Sequence, residues 1–241
     1  MPQDKSAPLP QADIAPQDPL AALRREIDGL DDAMLALLDR RVAAVIGIAE
    51  LKASDGERLR LRPGREAAVT ERLVARAKVA PEGVVRHIWR EIMAACLELQ
   101  SAGELVLHAA NEPALLTDAL RQRFGSSAAM TIASSAADAL AAARAREAVA
   151  VIELTQDSDW WNGLGGDPML AMFECLRDPT GRAIGIPVGR IAGEDLEACP
   201  EIAIVDDAGL AEHRARGAEL IASSNGLHLC VSPAPAQQGG R

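Results

Sequence analysis

Apolar residues fall at positions 20, 23, 27, 30, 34 and 37, and again at 44, 48 and 51. The alternating three- and four-residue spacing is a heptad seam, one stripe along a helix that seeks an equally long partner. It predicts a helix opening at Pro19, about 33 residues and roughly 50 Å long at the helical rise. Pro19 suits the first turn, and Asp18 before it is placed to cap. A helix this long in a short module needs cover along its length, and the simplest cover is a second copy of the chain.

The seam has a defect. Its next position after Leu37 is Arg41, and Lys52 lies 11 residues further on, nearly on the same side. Ser54-Asp55-Gly56 breaks the helix. Pro63 opens a second one to about Val79, and Pro81-Glu82-Gly83 opens a third that ends near Gln100. The third helix repeats the anomaly: its stripe Val85, Ile88, Trp89, Ile92, Cys96, Leu99 continues into Gln100. A buried charge is costly unless it is paired or meets an anionic ligand. The pattern reads as a polar pocket in a helical bundle lined by Arg41, Lys52 and Gln100. A buried salt bridge, or an Arg41 that snorkels to water, is the alternative it leaves open.

After the linker Ser101-Ala102-Gly103 the texture changes. Strands are expected at Leu105–Ala109, Met130–Ala133 and Val149–Leu154, separated by helices at Pro113–Phe124 and Ala136–Arg146. Such alternation predicts a parallel sheet with crossover helices. Further strands are expected at Met169–Leu176, Ala183–Val188, Ile202–Val205 and Leu227–Val231, with a helix over Ala208–Ala222. The fold class is thus two-domain: an all-α three-helix module at 19–101, forming an intertwined helical dimer, and an α/β domain at 103–231. Residues 1–18 and 232–241 read as a disordered tail and a loose end.

Charge narrows the ligands. Residues 19–100 carry 14 Lys/Arg against 13 Asp/Glu, whereas residues 101–241 carry 10 against 19. An acidic second half disfavours nucleic acid and anionic membrane, so an anionic small molecule is sought in the first half. The cysteines (96, 175, 199, 230) and histidines (87, 108, 213, 228) lack metal-ligand spacing. No metal and no cofactor are therefore expected, and the thiols read as small buried groups in a reducing cytoplasm. No signal pattern opens the chain and no stretch of 18 apolar residues spans a membrane. Trp160-Trp161 could line a pocket, though paired tryptophans more often anchor a core.

The run PLAALRREIDGLDDAMLALLDRRVAAVIGIAELKAS resembles the opening of the all-helical chorismate mutase family. The later RPGRE and IWREIMAACLELQ are similar to its second and third helices. The resemblance spans residues 19–100 and implies conversion of chorismate to prephenate by a homodimer, in phenylalanine and tyrosine biosynthesis. It implies that Arg24 reaches a carboxylate in the partner subunit's site and that Arg41 binds one in its own. Lys52 and Gln100 would flank the ether oxygen. Glu66 would hold the substrate hydroxyl with Arg65 supporting the anionic site, and Cys96 would lie near a carboxylate. Arg24 and Arg41 are 17 residues apart, about 100° off one helical face, which agrees with service in different sites. Arg62 departs from the family, which often has an acidic residue there.

Placement after such a module resembles that of prephenate dehydratase domains, but the match fades. Their Gly-rich loop after the first strand reads His108-Ala109-Ala110-Asn111-Glu112-Pro113 here, their Glu-Asn-Ser segment falls near Ile152-Glu153-Leu154-Thr155, and their Thr-Arg-Phe is absent, Arg123-Phe124 lying too early. The second domain is expected to be a degenerate dehydratase-like domain without that activity, an unrelated α/β domain being the alternative. Two rival functions stay open: a bifunctional mutase–dehydratase, and a non-catalytic helical dimer whose α/β domain binds a metabolite.

Overall fold

The computed structural model describes residues 18–54, 61–100, 104–145, 148–155, 157–191, 193–196 and 199–232. The linker expected at 101–103 and nearly all of both expected tails lie outside the described residues. Two compact units emerge, residues 1–48 and 49–241.

The first unit holds most of α1 (Pro19–Ser54). The Asp18 carboxylate accepts a hydrogen bond from the Leu20 N–H at 3.0 Å, so the expected cap and the Pro19 start are both present. Along this helix Leu20, Leu23, Ile27, Leu30, Met34 and Leu37 are each more than half exposed.

The second unit opens with α2 (Pro63–Arg76) and α3 (Glu82–Gln100), again begun where proline sets the first turn. β1 (Glu104–His108), α4 (Pro113–Phe124), β2 (Met130–Ile132), α5 (Ala136–Ala145) and β3 (Ala148–Glu153) follow. β2 and β3 flank β1, both parallel to it. Alternate side chains of a strand point to opposite faces, and the core divides accordingly. Val106, Ala150 and Ile152 pack with Ala139, Leu140 and Ala143 of α5. Leu105, Leu107 and Val151 pack with Leu116, Leu120 and Phe124 of α4.

The parallel sheet expected from the β-α-β-α-β alternation forms over β2-β1-β3, and the sheet then continues antiparallel. β6 (Ala183–Gly189) runs antiparallel to β3 and also pairs with two short strands, β4 (Ala171–Met172) and β5 (Leu176–Arg177). Among the described residues between β3 and β4 no helix carries the chain back across the sheet. The expected single strand over Met169–Leu176 is interrupted at Phe173, which is buried in the α4 core. A 3₁₀ turn (Gly193–Leu196) leads to β7 (Glu201–Val205), α6 (Asp207–Ala215), β8 (Glu219–Ser224) and β9 (Leu227–Ser232). The last strands form a three-stranded antiparallel sheet, β7-β9-β8. The helix expected to continue to Ala222 stops at Ala215. Gly217 adopts φ +85°, which ends it, and β8 then pairs with β9 through Asn225 and Gly226, both with positive φ. Trp161 is fully buried in the α5-side core, and the Trp160 indole N–H donates to the Glu153 carbonyl at 3.0 Å. The pair is a core anchor.

Candidate active site

α2 begins without a side-chain cap. Arg62 holds the cap position, and the Glu66 N–H donates to its carbonyl at 3.0 Å. The Arg62 side chain reaches instead to Asp195 of the 3₁₀ turn, Nε to Oδ1 3.5 Å, where the carboxylate is buried. The substitution that departs from the family thus gives Asp195 a counter-ion.

One turn further on, Glu66 meets Arg123 from the last turn of α4, whose Nη1 donates to Glu66 Oε2 at 3.0 Å. The same guanidinium donates through Nε to Glu174, in the loop between β4 and β5, and lies 4.9 Å over the Phe124 ring. The Arg123 side chain is only 13% exposed. Burial works against its charge, but Glu174 and Glu66 outweigh that and raise its pKa above the ordinary arginine value. Arg90 of α3 stands nearby. Burial lowers its pKa first and the like charge of Arg123 next, while Glu174 and Glu66 oppose. Three guanidiniums (Arg86, Arg90, Arg123) and three carboxylates (Glu66, Glu71, Glu174) line a cavity of about 220 Å³ whose wall also holds Phe124 and Phe173. The Cys199 thiol in that wall is pushed up to about 11, chiefly by burial and then by Glu174.

Close approach makes this cluster possible. Gly125, just past α4, has φ +94°, and a Cβ there would lie 2.5 Å from the Ala94 Cβ of α3. Next to it the Ser126 N–H and hydroxyl donate to Glu91, and the Ser127 hydroxyl donates to Glu98. α3 is thus seated on the end of α4, and Arg123 is delivered to α2.

Of the residues expected from the sequence, Glu66 lies in this cluster. Cys96 is buried in α3 and Arg65 is exposed on α2. Arg24 is exposed and Arg41 half-buried, both in the first unit. The side chains of Lys52 and Gln100 lie outside the described residues. Arg123, Glu174, Arg90 and Asp195 escaped the sequence reading. Arg123-Phe124 was visible only as a displaced dehydratase motif, and nothing local ties it to partners 57 and 51 residues away.

A second anion site is already filled. At the end of β3 the Glu153 carboxylate, only 6% exposed, accepts the backbone N–H groups of Ala110, Asn111 and Glu112 at 2.7–2.8 Å. Burial tends to raise its pKa. The hydrogen bonds from Asn111, Glu112 and Ala110 outweigh burial and hold the carboxyl below the usual glutamate range. The loop after β1 and the start of α4 therefore close on a carboxylate of their own chain.

The chorismate mutase type II family model matches residues 23–101. Residues 23–101 are similar to chorismate mutase type II domains. A bifunctional chorismate mutase/prephenate dehydratase of Aquifex aeolicus is 35% identical over 86 residues, covering 34% of this chain and 24% of that protein. One of the same description from Pseudomonas aeruginosa is 36% identical over 92 residues, covering 36% and 25%. The chain spans about a quarter of the length of these curated relatives. No solved structure matches it. The matched stretch contains all seven expected site positions, 24, 41, 52, 65, 66, 96 and 100, and also Arg62. Arg123 and Glu174, which meet Glu66, lie outside it.

Proposed function

We propose that this chain is a chorismate mutase, rearranging chorismate to prephenate in phenylalanine and tyrosine biosynthesis. The observation that carries the reading is the family match over residues 23–101, which contains every expected site residue in order. The reaction is a unimolecular rearrangement and needs no nucleophile, metal or obligatory proton transfer. The protein must hold a dicarboxylate in a compact conformer and stabilise charge growing on the ether oxygen. Arg24 and Arg41 supply planar forks for the two carboxylates. Lys52 and Gln100 donate to the ether oxygen, Glu66 accepts from the hydroxyl, Arg65 supports the anionic site, and Cys96 lies beside a carboxylate.

The working unit in this reading is a homodimer with Arg24 acting across subunits. The exposed seam of α1 supports it, since six large apolar side chains more than half exposed along one helix call for a partner of equal length. Among the described residues no helix is long and apolar enough to cross a membrane. With no disulfide among the four cysteines, the reading assigns the chain to the cytoplasm. The α/β region is read as a degenerate dehydratase-like domain, a reading supported by the carboxylate of Glu153 seated on the loop after β1.

The direct test is chorismate consumption by the purified full chain at neutral pH, with acid treatment to convert any prephenate formed. Loss of chorismate matched by acid-released phenylpyruvate is expected. Consumption no faster than the uncatalysed background overturns the reading.

A further inference from the structure

We infer that Arg123 is a positioning residue for the mutase site: from the α/β region it orients the Glu66 carboxylate. The inference rests on the reading of Glu66 as acceptor for the substrate hydroxyl. That task asks three things of a carboxylate: a fixed plane, a free oxygen and a retained charge. Arg123 engages Oε2 alone at 3.0 Å, and Oε1 receives no hydrogen bond from the described residues. The guanidinium is itself fixed, since Glu174 takes its Nε, the Phe124 ring lies beneath it and little of the side chain is exposed. The orientation of Glu66 is thus set from the loop between β4 and β5 and from α4. Arg62–Asp195 ties the start of the same helix to the 3₁₀ turn. An α/β region that performs no second reaction here still has work in the first.

Charge makes the arrangement testable. The ionisable groups sharing the cavity with Glu66 are Glu71 of α2, Arg86 and Arg90 of α3, Arg123 of α4, Glu174 of the β4–β5 loop, and Cys199 beside the 3₁₀ turn, with Asp195 in that turn. Remove Arg123 and the cavity keeps three carboxylates, Glu66, Glu71 and Glu174, against two guanidiniums, Arg86 and Arg90. Loss of a neighbouring positive charge favours the protonated form of a carboxylate, and Glu66 also loses its fixed plane.

The experiment is a double-variant cycle on the full-length chain, with kcat and KM for chorismate measured across pH. Arg123→Ala should lower kcat/KM by about 10- to 100-fold and move the acid limb of its pH profile upward. Arg123→Lys should recover part of the loss. In a Glu66→Gln background, Arg123→Ala should cost less than about threefold more, because the carboxylate it serves is gone. A merely structural arginine gives losses that multiply and a pH profile that overlays wild type, and either result overturns the inference. Thermal melts report folding. If Arg123→Ala does not fold, the same cycle with Arg123→Lys decides by the same criterion. A wild type that leaves chorismate untouched overturns the mutase reading and this inference together. An active wild type with multiplying losses overturns this inference alone.

Discussion

Glu153 and Glu66 are two carboxylates put to opposite uses by their surroundings. Glu153 is sealed by three backbone N–H donors and has little left to offer a ligand. Glu66 accepts from Arg123 through Oε2, and among the described residues its Oε1 receives no hydrogen bond. The sealed group should show itself in stability. Its folded pKa is depressed below the ordinary 4.5, so its contribution is fully present above that value and is lost as pH falls through the folded pKa. Glu153→Gln should therefore lower the unfolding free energy near neutrality by about 1–3 kcal/mol, because an amide cannot satisfy three donors with a charge. The gap from wild type should narrow as the pH drops below about 4. Denaturant melts across pH check this, and a gap unchanged from neutrality to about pH 3 would show that the charge of Glu153 does not matter.

At the scale of elements, proline and capping residues marked the helix starts well. Pro19, Pro63 and Pro113 each open the helix expected of them. The β1-α4-β2-α5-β3 alternation was equally legible, since its periodicities are local. Two things were not. Strand direction beyond β3 depends on which partner the strand meets, and apolar runs carry no arrow, so the antiparallel β6 could not be read. The end of α6 was readable but overlooked: Asn225-Gly226 between two apolar runs is a hairpin signal, and the apolar stretch before it is β8. The junction of α3 and α4 belongs to the same scale. Gly125→Ala asks an L side chain to adopt φ +94° and to sit 2.5 Å from the Ala94 Cβ. It should cost about 1–3 kcal/mol of stability, measurable as a lower denaturation midpoint, and it should weaken mutase activity through the displaced Arg123. A variant as stable and as active as wild type would mean that α4 need not approach α3 so closely.

For the whole molecule, the seven expected site positions were legible only through the family resemblance, apart from Arg41, Lys52 and Gln100, which also stood out as polar breaks in apolar stripes. The cluster around Arg123 was invisible because long-range contacts assemble it. Two outcomes belong to this scale. The full chain should not form phenylpyruvate from prephenate at neutral pH, since the loop at 108–113 is altered and engaged with Glu153; formation above background would restore a bifunctional reading. Arg24→Ala and Lys52→Ala homodimers should each lose most activity, yet equal mixing with subunit exchange should restore about a quarter of wild type, because half the dimers are mixed and each has one intact site. No recovery despite proven exchange would rule out Arg24 acting across subunits. In the proposed reading Lys52 donates to the ether oxygen during the rearrangement. The decisive measurement is the rate of chorismate loss in wild type and in folded, dimeric Lys52→Ala side by side. Wild type should form prephenate in an amount equal to the chorismate lost, and the variant's rate should be lower by about 10²–10³. Equal rates in the two proteins, or no wild-type rate above background, would contradict the reading.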